Sequence, residues 1–300
     1  MPDDLTALDY AVDGPVARLT LRRPTITLDL PGELERCVEA ADLDPRVHVI
    51  ALQGAGPGFC GGYDLRVFAE GMQDALDGRD LHDGSPMDPG IAAANHDPRR
   101  TWDPMVDFQL MSRFTRGWTA LARADKPTVC KVHGYAIAGG SDLALSCDLL
   151  VIAADAKLAY PPSRVWGVPT TPAWPTKLPP QVAKRLLLCG DALTGAEAER
   201  WGLAAEAPAA EDLDARFEAL LQRIAHVPVN QLVALKLFAD APRRGTQEAT
   251  QVLGTLLDGV ARHTPEGYAF QRRAAEVGFK QAVAERDAPF GDAGRTVDRG

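Results

Sequence analysis

The 300 residues predict an α/β fold: a strand-and-helix first part, then a helical last part. Three observations carry this. Up to about Tyr160, short runs alternate apolar and polar residues or are apolar throughout, the periods of half-buried and fully buried strands. After about Pro180, strand-like runs disappear and apolar residues recur at helical spacing. Two glycine clusters, Gly58-Phe59-Cys60-Gly61-Gly62-Tyr63-Asp64 and Gly134-Tyr135-Ala136-Ile137-Ala138-Gly139-Gly140-Ser141-Asp142, each follow a strand-like run. Glycines there let backbone approach something closely.

Taken in order, Val16–Leu21 alternates and reads as a strand. Pro31–Ala41 reads as a helix with Leu34, Cys37 and Val38 on its apolar face, and Val47–Leu52 as a second strand ending in turn-rich Gly54-Ala55-Gly56-Pro57-Gly58. Leu65–Glu70 reads as a turn or two of helix. The stretch from Gly71 to Pro104, rich in Asp, Gly, Pro and His, reads as an irregular insertion that lines or covers a pocket. Helical spacing resumes over Phe108–Ala122. Thr128–His133 is a buried-type strand, Ser141–Ser146 a short helix, Leu149–Ala153 a strand, and Lys157–Tyr160 a short extended run. Helices are predicted over Val182–Leu188, Gly195–Trp201, Leu213–Ile224, Asn230–Phe238, Thr246–Arg262 and Pro265–Val283.

Composition narrows the function classes. No apolar run reaches the ~20 residues of a membrane helix, and the acidic Met1-Pro2-Asp3-Asp4 start lacks an apolar signal region, so the expectation is a cytoplasmic protein with no membrane role. Five scattered cysteines, Cys37, Cys60, Cys130, Cys147 and Cys189, show no C-x-x-C spacing and read as reduced thiols. The formal charge of −9 argues against generic nucleic-acid binding. His82, His96, His226 and His263 lack metal-ligand spacing, and His133 at a strand end reads as a packed residue.

The paired glycine clusters look like two halves of an oxyanion hole, two backbone N–H groups aimed at the carbonyl oxygen of a thioester. Preorganised donors of this kind are often the largest catalytic contribution, ~10²–10³ in rate for each donor. Gly139-Gly140 before a helix fits one donor, because the first N–H groups of a helix lack partners. Gly61-Gly62 before Tyr63 fits the other.

These segments resemble the crotonase superfamily, the enoyl-CoA hydratase/isomerase family. The resemblance runs from about Val16 to Phe290. It rests on Arg23-Pro24, on Gly54-x-Gly56-x-x-Phe59-Cys60-x-Gly62-x-Asp64-Leu65, on Lys126-Pro127-Thr128-Val129, and on His133-Gly134-Tyr135-Ala136-x-x-Gly139-Gly140-x-Asp142-Leu143-Ala144. Cys147-Asp148, Ala156-Lys157, Gly167-Val168-Pro169, Leu193-Thr194-Gly195-x-Glu197-Ala198 and Trp201-Gly202-Leu203 extend it. It implies a spiral of ββα units over residues 1–200 holding a CoA-thioester site. Residues 201–300 would form a helical region that covers the CoA and builds a homotrimer or dimer of trimers. It implies an acyl-CoA substrate, with coenzyme A part of that substrate and no metal or redox cofactor.

By motif position the two donors are the N–H of Tyr63 and the N–H of Gly139. Cys60, Gly62, Asp64, Leu65 and Gly140 of the same segments are candidates for binding the CoA thioester. Asp142 holds the place of one family glutamate and is the candidate proton carrier, with completion of its helix's electrostatics as the structural alternative. Pro162 falls where the second family glutamate belongs, and proline transfers no proton. Tyr160 and Arg164 are the candidates near that gap, Tyr160 as a proton or hydrogen-bond donor and Arg164 as a fork for a substrate carboxylate. Packing of Tyr160 and Trp166, an ion pair for Arg164, a helix cap for Asp64 and plain burial of Cys60 are the structural alternatives. Arg22, Arg23 and Arg286 are candidates for the CoA phosphates, although Glu285 occupies the place of a usual lysine. The expected activity is that of an enoyl-CoA hydratase or isomerase acting through an enolate. Decarboxylation, thioester hydrolysis, C–C cleavage and a non-catalytic acyl-CoA-binding role are the alternatives that the missing glutamate keeps open.

Overall fold

The computed structural model describes residue 2, residues 4–64 and residues 84–288. A five-stranded sheet is ordered β1-β2-β3-β4-β6, with β1 Leu8–Asp13, β2 Val16–Leu21, β3 Val49–Gly54, β4 Thr128–Val132 and β6 Leu149–Ile152. Only β1–β2 is antiparallel; β2, β3, β4 and β6 run parallel. Parallel strands covered on both faces need apolar residues throughout, and Val49, Ile50, Ala51 and Leu52 are all buried. The strand β1 was not anticipated. Asp9 and Asp13 fall on its exposed face, but apolar Ala11 on that same face blurs the alternation, and pairing with β2 makes it a strand.

Helix α1 Leu30–Leu43 packs along helix α3 Pro104–Arg123 and against β1, with a shorter helix α2 Pro89–Asn95 before α3. A Cβ on Gly117 of α3 would lie 2.9 Å from Pro31 Cα, so the two long helices meet at a glycine. Of the irregular insertion expected from Gly71 to Pro104, residues 71–83 lie outside the described residues, and α2 corrects part of the rest. Asp88 caps it by accepting from Gly90 N–H, and Pro89 opens it. The helical turn expected over Leu65–Glu70 lies outside the described residues.

A second, three-stranded sheet is ordered β5-β7-β8: Tyr135–Ile137, Lys157–Ala159 and Ala192–Thr194. The strand β8 contradicts the expectation of no strands after Pro180. Three residues are too few to show a period, and pairing with β7 fixes them. Helix α4 Gly139–Leu145 lies between β5 and β6. Helix α5 Ala173–Lys177 and helix α6 Pro180–Cys189 precede β8, and helix α7 Gly195–Arg200 follows it. The motif Thr194-x-x-Glu197 is a capping box: Thr194 Oγ1 accepts from Glu197 N–H at 3.2 Å and Glu197 Oε2 accepts from Thr194 N–H at 2.7 Å.

The C-terminal part holds α8 Leu213–Ala225, α9 Val229–Arg262, α10 Pro265–Val277 and α11 Phe279–Asp287. Two expected helices merge into α9, which continues past Pro242. One expected helix splits at Gly278, whose φ of +85° ends α10. Among the described residues, no helix is long and apolar enough to cross a membrane.

Candidate active site

The two glycine clusters meet in space. Cys60 forms a parallel bridge with Ala136, donating to Tyr135 O at 3.2 Å and accepting from Ile137 N–H at 2.9 Å. Ala138 N–H donates to Ala159 O, which ties the second cluster to β7. Gly140 lies so close to Cys60 that a Cβ would overlap the Cys60 carbonyl oxygen. Gly62 has φ +99°, and its Cβ would lie 3.4 Å from Gly139 N and 3.1 Å from Ala138 Cβ. Glycine is therefore required at both places by contact, not only by turn geometry.

Ala138 stands between these glycines at φ +55° and ψ −126°, a conformation that costs a non-glycine residue ~1–3 kcal/mol. The strain sits directly before Gly139, the first residue of α4. Among the described residues, neither Tyr63 N–H nor Gly139 N–H donates to a protein acceptor. The Tyr63 ring covers Gly139, where a Cβ would meet Tyr63 Cε2 at 3.0 Å. Phe114 meets that ring edge-on at 4.9 Å. Burial pushes the Tyr63 hydroxyl well above its usual range. The hydroxyl faces Thr170.

Asp142, four residues into α4, is 1% exposed. Oδ2 accepts from Thr170 N–H at 2.9 Å and from the Thr170 hydroxyl at 3.1 Å, and Oδ1 accepts from Trp174 Nε1–H at 3.3 Å. Trp118 Nε1–H donates to Thr170 Oγ1 at 3.1 Å and orients that hydroxyl. These bonds favour the carboxylate, but burial dominates and the charge of Asp258 adds to it, raising Asp142 to about 7. The result is a buried carboxyl raised to about 7 in the first turn of the helix that opens at Gly139.

Opposite α4 stands α9. Asp258 Oδ1 accepts from Val168 N–H at 3.2 Å, and Asp258 Oδ2 lies 3.4 Å from Arg262. Arg262 also lies 3.5 Å from Asp107. Asp107 accepts from Trp102 Nε1–H at 2.6 Å and lies 3.4 Å from His263. His96, Asp107 and His263 thus cluster within 4.8 Å, although their sequence spacing gives no hint of it. The cluster suits a structural network rather than a cation. Arg262 already brings positive charge, both ring nitrogens of His263 face carbonyl oxygens, and His96 Nδ1 faces Ala92 O.

The other sequence candidates divide. Tyr63, Gly62, Gly139, Gly140, Cys60, Asp142 and Tyr160 come together. Tyr160 is buried, its hydroxyl 3.7 Å from where a Gly167 Cβ would be, and burial holds that hydroxyl in its neutral form. Cys60 is enclosed, and burial pushes its thiol up to about 12, as a packing residue requires. Asp64 is buried, and its N–H donates to Ile26 O. Leu65 lies outside the described residues.

Arg164 does not face this site as a free fork. Its side chain is 1% exposed, donating to Cys189 O at 2.9 Å and to Asp287 at 3.2 Å. Arg286 also binds Asp287, at 2.9 Å, and Arg22 is held by Asp9 and Leu5 O. These three arginines are committed within the chain; of the proposed phosphate contacts, Arg22 and Arg23 are both exposed, Arg22 while held by Asp9. Sequence reasoning missed Thr170, Trp174 and Asp258. The signal for Asp258 was present: a lone acid in the apolar run Leu253-Gly254-Thr255-Leu256-Leu257-Asp258-Gly259-Val260.

Comparison with known proteins places this geometry among relatives. Residues 103–257 match the family model described as enoyl-CoA hydratase/isomerase. A crystal structure of an enoyl-CoA hydratase from Mycobacterium smegmatis is 49% identical, with 99% of each chain covered and a TM-score of 0.89. The (E)-benzylidenesuccinyl-CoA hydratase of Thauera aromatica is 27% identical over 93% of this chain and 96% of its own. The carnitinyl-CoA dehydratase of Proteus mirabilis is 29% identical over 64% of this chain, and the match spans 63% of that relative's length, under two thirds.

Proposed function

This chain belongs to the enoyl-CoA hydratase/isomerase family, and from that premise we propose that it adds water to an enoyl-CoA thioester or removes it from the corresponding 3-hydroxyacyl-CoA thioester. The observation that carries the reading is Asp142, a buried carboxyl raised to about 7, beside the uncommitted N–H groups of Tyr63 and Gly139. The relatives named as hydratases and dehydratase of CoA thioesters support the same direction.

In this reading the thioester oxygen accepts from the N–H groups of Tyr63 and Gly139. Attack of water oxygen at the β-carbon moves the double-bond electrons toward that oxygen, and the two donors stabilise the enolate. Protonated Asp142 then delivers its proton to the α-carbon. In dehydration the ionised form takes that proton back. An acid near the working pH serves both directions, with a typical contribution of ~10²–10⁴.

Two settings accompany the proposal. The thiols are free, with Cys37, Cys60, Cys130 and Cys147 buried, which suits a reducing cytoplasm. The exposed apolar residues Leu235, Phe238, Leu253, Leu256 and Val260 on α9 suit burial in a homotrimer or dimer of trimers.

The test is loss of the enoyl-thioester absorbance of crotonyl-CoA with purified protein, beside Asp142→Asn. The expected outcome is turnover in the wild type and a fall of at least about 100-fold in kcat in the variant. Tight crotonyl-CoA binding with neither hydration nor dehydration of the 3-hydroxyacyl thioester would favour the decarboxylase, hydrolase or purely binding readings instead.

A further inference from the structure

Hydration needs a base for water as well as an acid for the α-carbon, and Pro162 is no base. The fold brings another carboxylate to that place. Gly167 has φ +95°, and the position of its absent Cβ is 3.1 Å from Pro162 Cβ, 3.3 Å from Asp258 Oδ1 and 3.7 Å from the Tyr160 hydroxyl. Pro162, Tyr160 and Asp258 therefore close around Gly167, where there is room for a hydrogen but not for a methyl, and the carboxylate of Asp258 lies beside Pro162.

Asp258 is delivered there by two close approaches of α9. A Cβ on Gly254 would overlap Pro169 O, and a Cβ on Gly259 would lie 3.0 Å from Asp107 Cβ. The helix is thus seated on the loop after Pro162 and on α3, with Asp258 between the two contacts. The charged and titratable groups facing Asp258 are Arg262 on its own helix, Asp107 on α3, Asp142 on α4, Tyr160 beside Pro162, and Tyr63. Its pairing with Arg262 is loose. The separation is 3.4 Å, and Arg262 Nη2 makes no hydrogen bond among the described residues. Arg18 and Glu218 show what a committed pair looks like in this chain, with two bonds of 2.7 and 2.6 Å. A buried carboxylate held this weakly retains affinity for a proton.

We propose that Asp258 supplies the second carboxylate of the site, accepting the proton of the attacking water in the place that Pro162 leaves without a base. The inference rests on the hydratase reading above. Asp258 takes one proton from water as the water oxygen bonds to the β-carbon, and the double-bond electrons move to the thioester oxygen. Asp142 gives its proton to the α-carbon, and the carbonyl re-forms. One water is consumed, and the proton gained by Asp258 returns to Asp142 through solvent, so the pair ends as it began.

The experiment compares wild type, Asp258→Asn, Asp258→Glu and Arg262→Gln in crotonyl-CoA hydration, with kcat, KM, the pH profile and the melting temperature of each. Asp258→Asn preserves size and an oxygen for Val168 N–H. The expected result is a fall in its kcat of ~10²–10⁴ with KM changed by less than about threefold and the acidic limb of the pH profile lost. Asp258→Glu recovers at least about tenfold of that loss, and Arg262→Gln keeps at least about a tenth of wild-type kcat. If Asp258→Asn and Arg262→Gln lose activity in proportion to their melting temperatures, or Asp258→Asn keeps kcat and pH profile, the assignment is overturned and the hydratase reading stands. If the wild type itself turns over neither crotonyl-CoA nor the 3-hydroxyacyl thioester, both fall together.

Discussion

The glycine-built wall of the site and the helical wall opposite it use different physics. On the first, Cys60–Tyr63 and Ala136–Gly139 hold backbone against backbone, with Gly62 and Gly140 placed where a Cβ would collide. The donors proposed there are peptide N–H groups, and their positions follow from local chain geometry. On the second, α9 places Asp258 through packing at Gly254 and Gly259, more than a hundred positions along the chain from Gly139. A wall made by local geometry should fail sharply when altered. One made by packing should yield by degrees.

Gly62→Ala tests the first wall. The new methyl would meet Ala138 Cβ at 3.1 Å and Ile137 O at 3.2 Å at a positive φ. The expected outcome is a kcat lower by ~10²–10³ with KM within about threefold, because Tyr63 N–H moves off the developing oxyanion. Steady-state kinetics on crotonyl-CoA decide it, and a wild-type kcat would take the Tyr63 N–H out of the mechanism. Gly254→Ala tests the second. The methyl drives α9 off Pro169, at a cost of ~1–3 kcal/mol in stability, and kcat should fall about tenfold as Asp258 retreats. Thermal unfolding beside kinetics checks this, and an unshifted melting temperature would mean that α9 is not seated there.

Much of the first wall was legible in the sequence. Gly62, Gly139, Gly140 and Asp142 lie in two short segments whose spacing reflects local geometry, so the residues announce the turn. The second wall was legible only as an oddity. The one local mark of Asp258, a lone acid in an apolar helical run, does not say what it meets in space. Arg164 shows the converse error: beside a gap it looked available, yet Cys189 O and Asp287 claim it across ranges no motif encodes.

A smaller effect sharpens the electrostatic difference. Trp174→Phe removes one of the donors that favour ionised Asp142. The acid acts protonated in hydration, so the hydration rate falls as pH rises through about 7, and dehydration, which needs the ionised form, rises through the same midpoint. Losing the donor should move that midpoint upward by about half to one unit. A downward shift in the measured kcat profile would contradict the geometry at Asp142. The smallest expected effect on turnover is that of Arg164→Gln. KM should stay within about twofold for any accepted thioester, while the melting temperature falls, since breaking a buried pair typically costs ~3–5 kcal/mol. A sharp rise in KM would instead restore the carboxylate fork.

By itself the sequence determined the α/β class, the two glycine segments that meet, and the acid at Asp142, because each is written in residues adjacent along the chain. Burial and close approach of backbone leave local marks: apolar periodicity, paired glycines, a lone acid opening a helix. Only the tertiary structure decided that α9 runs unbroken from Val229 to Arg262, that β1 and β8 are strands, that Asp142 is raised to about 7, and that Asp258 packs close to Pro162 around Gly167. Those outcomes depend on which surfaces are pressed together. The free energy of a side chain there is set by neighbours that the chain brings from far away.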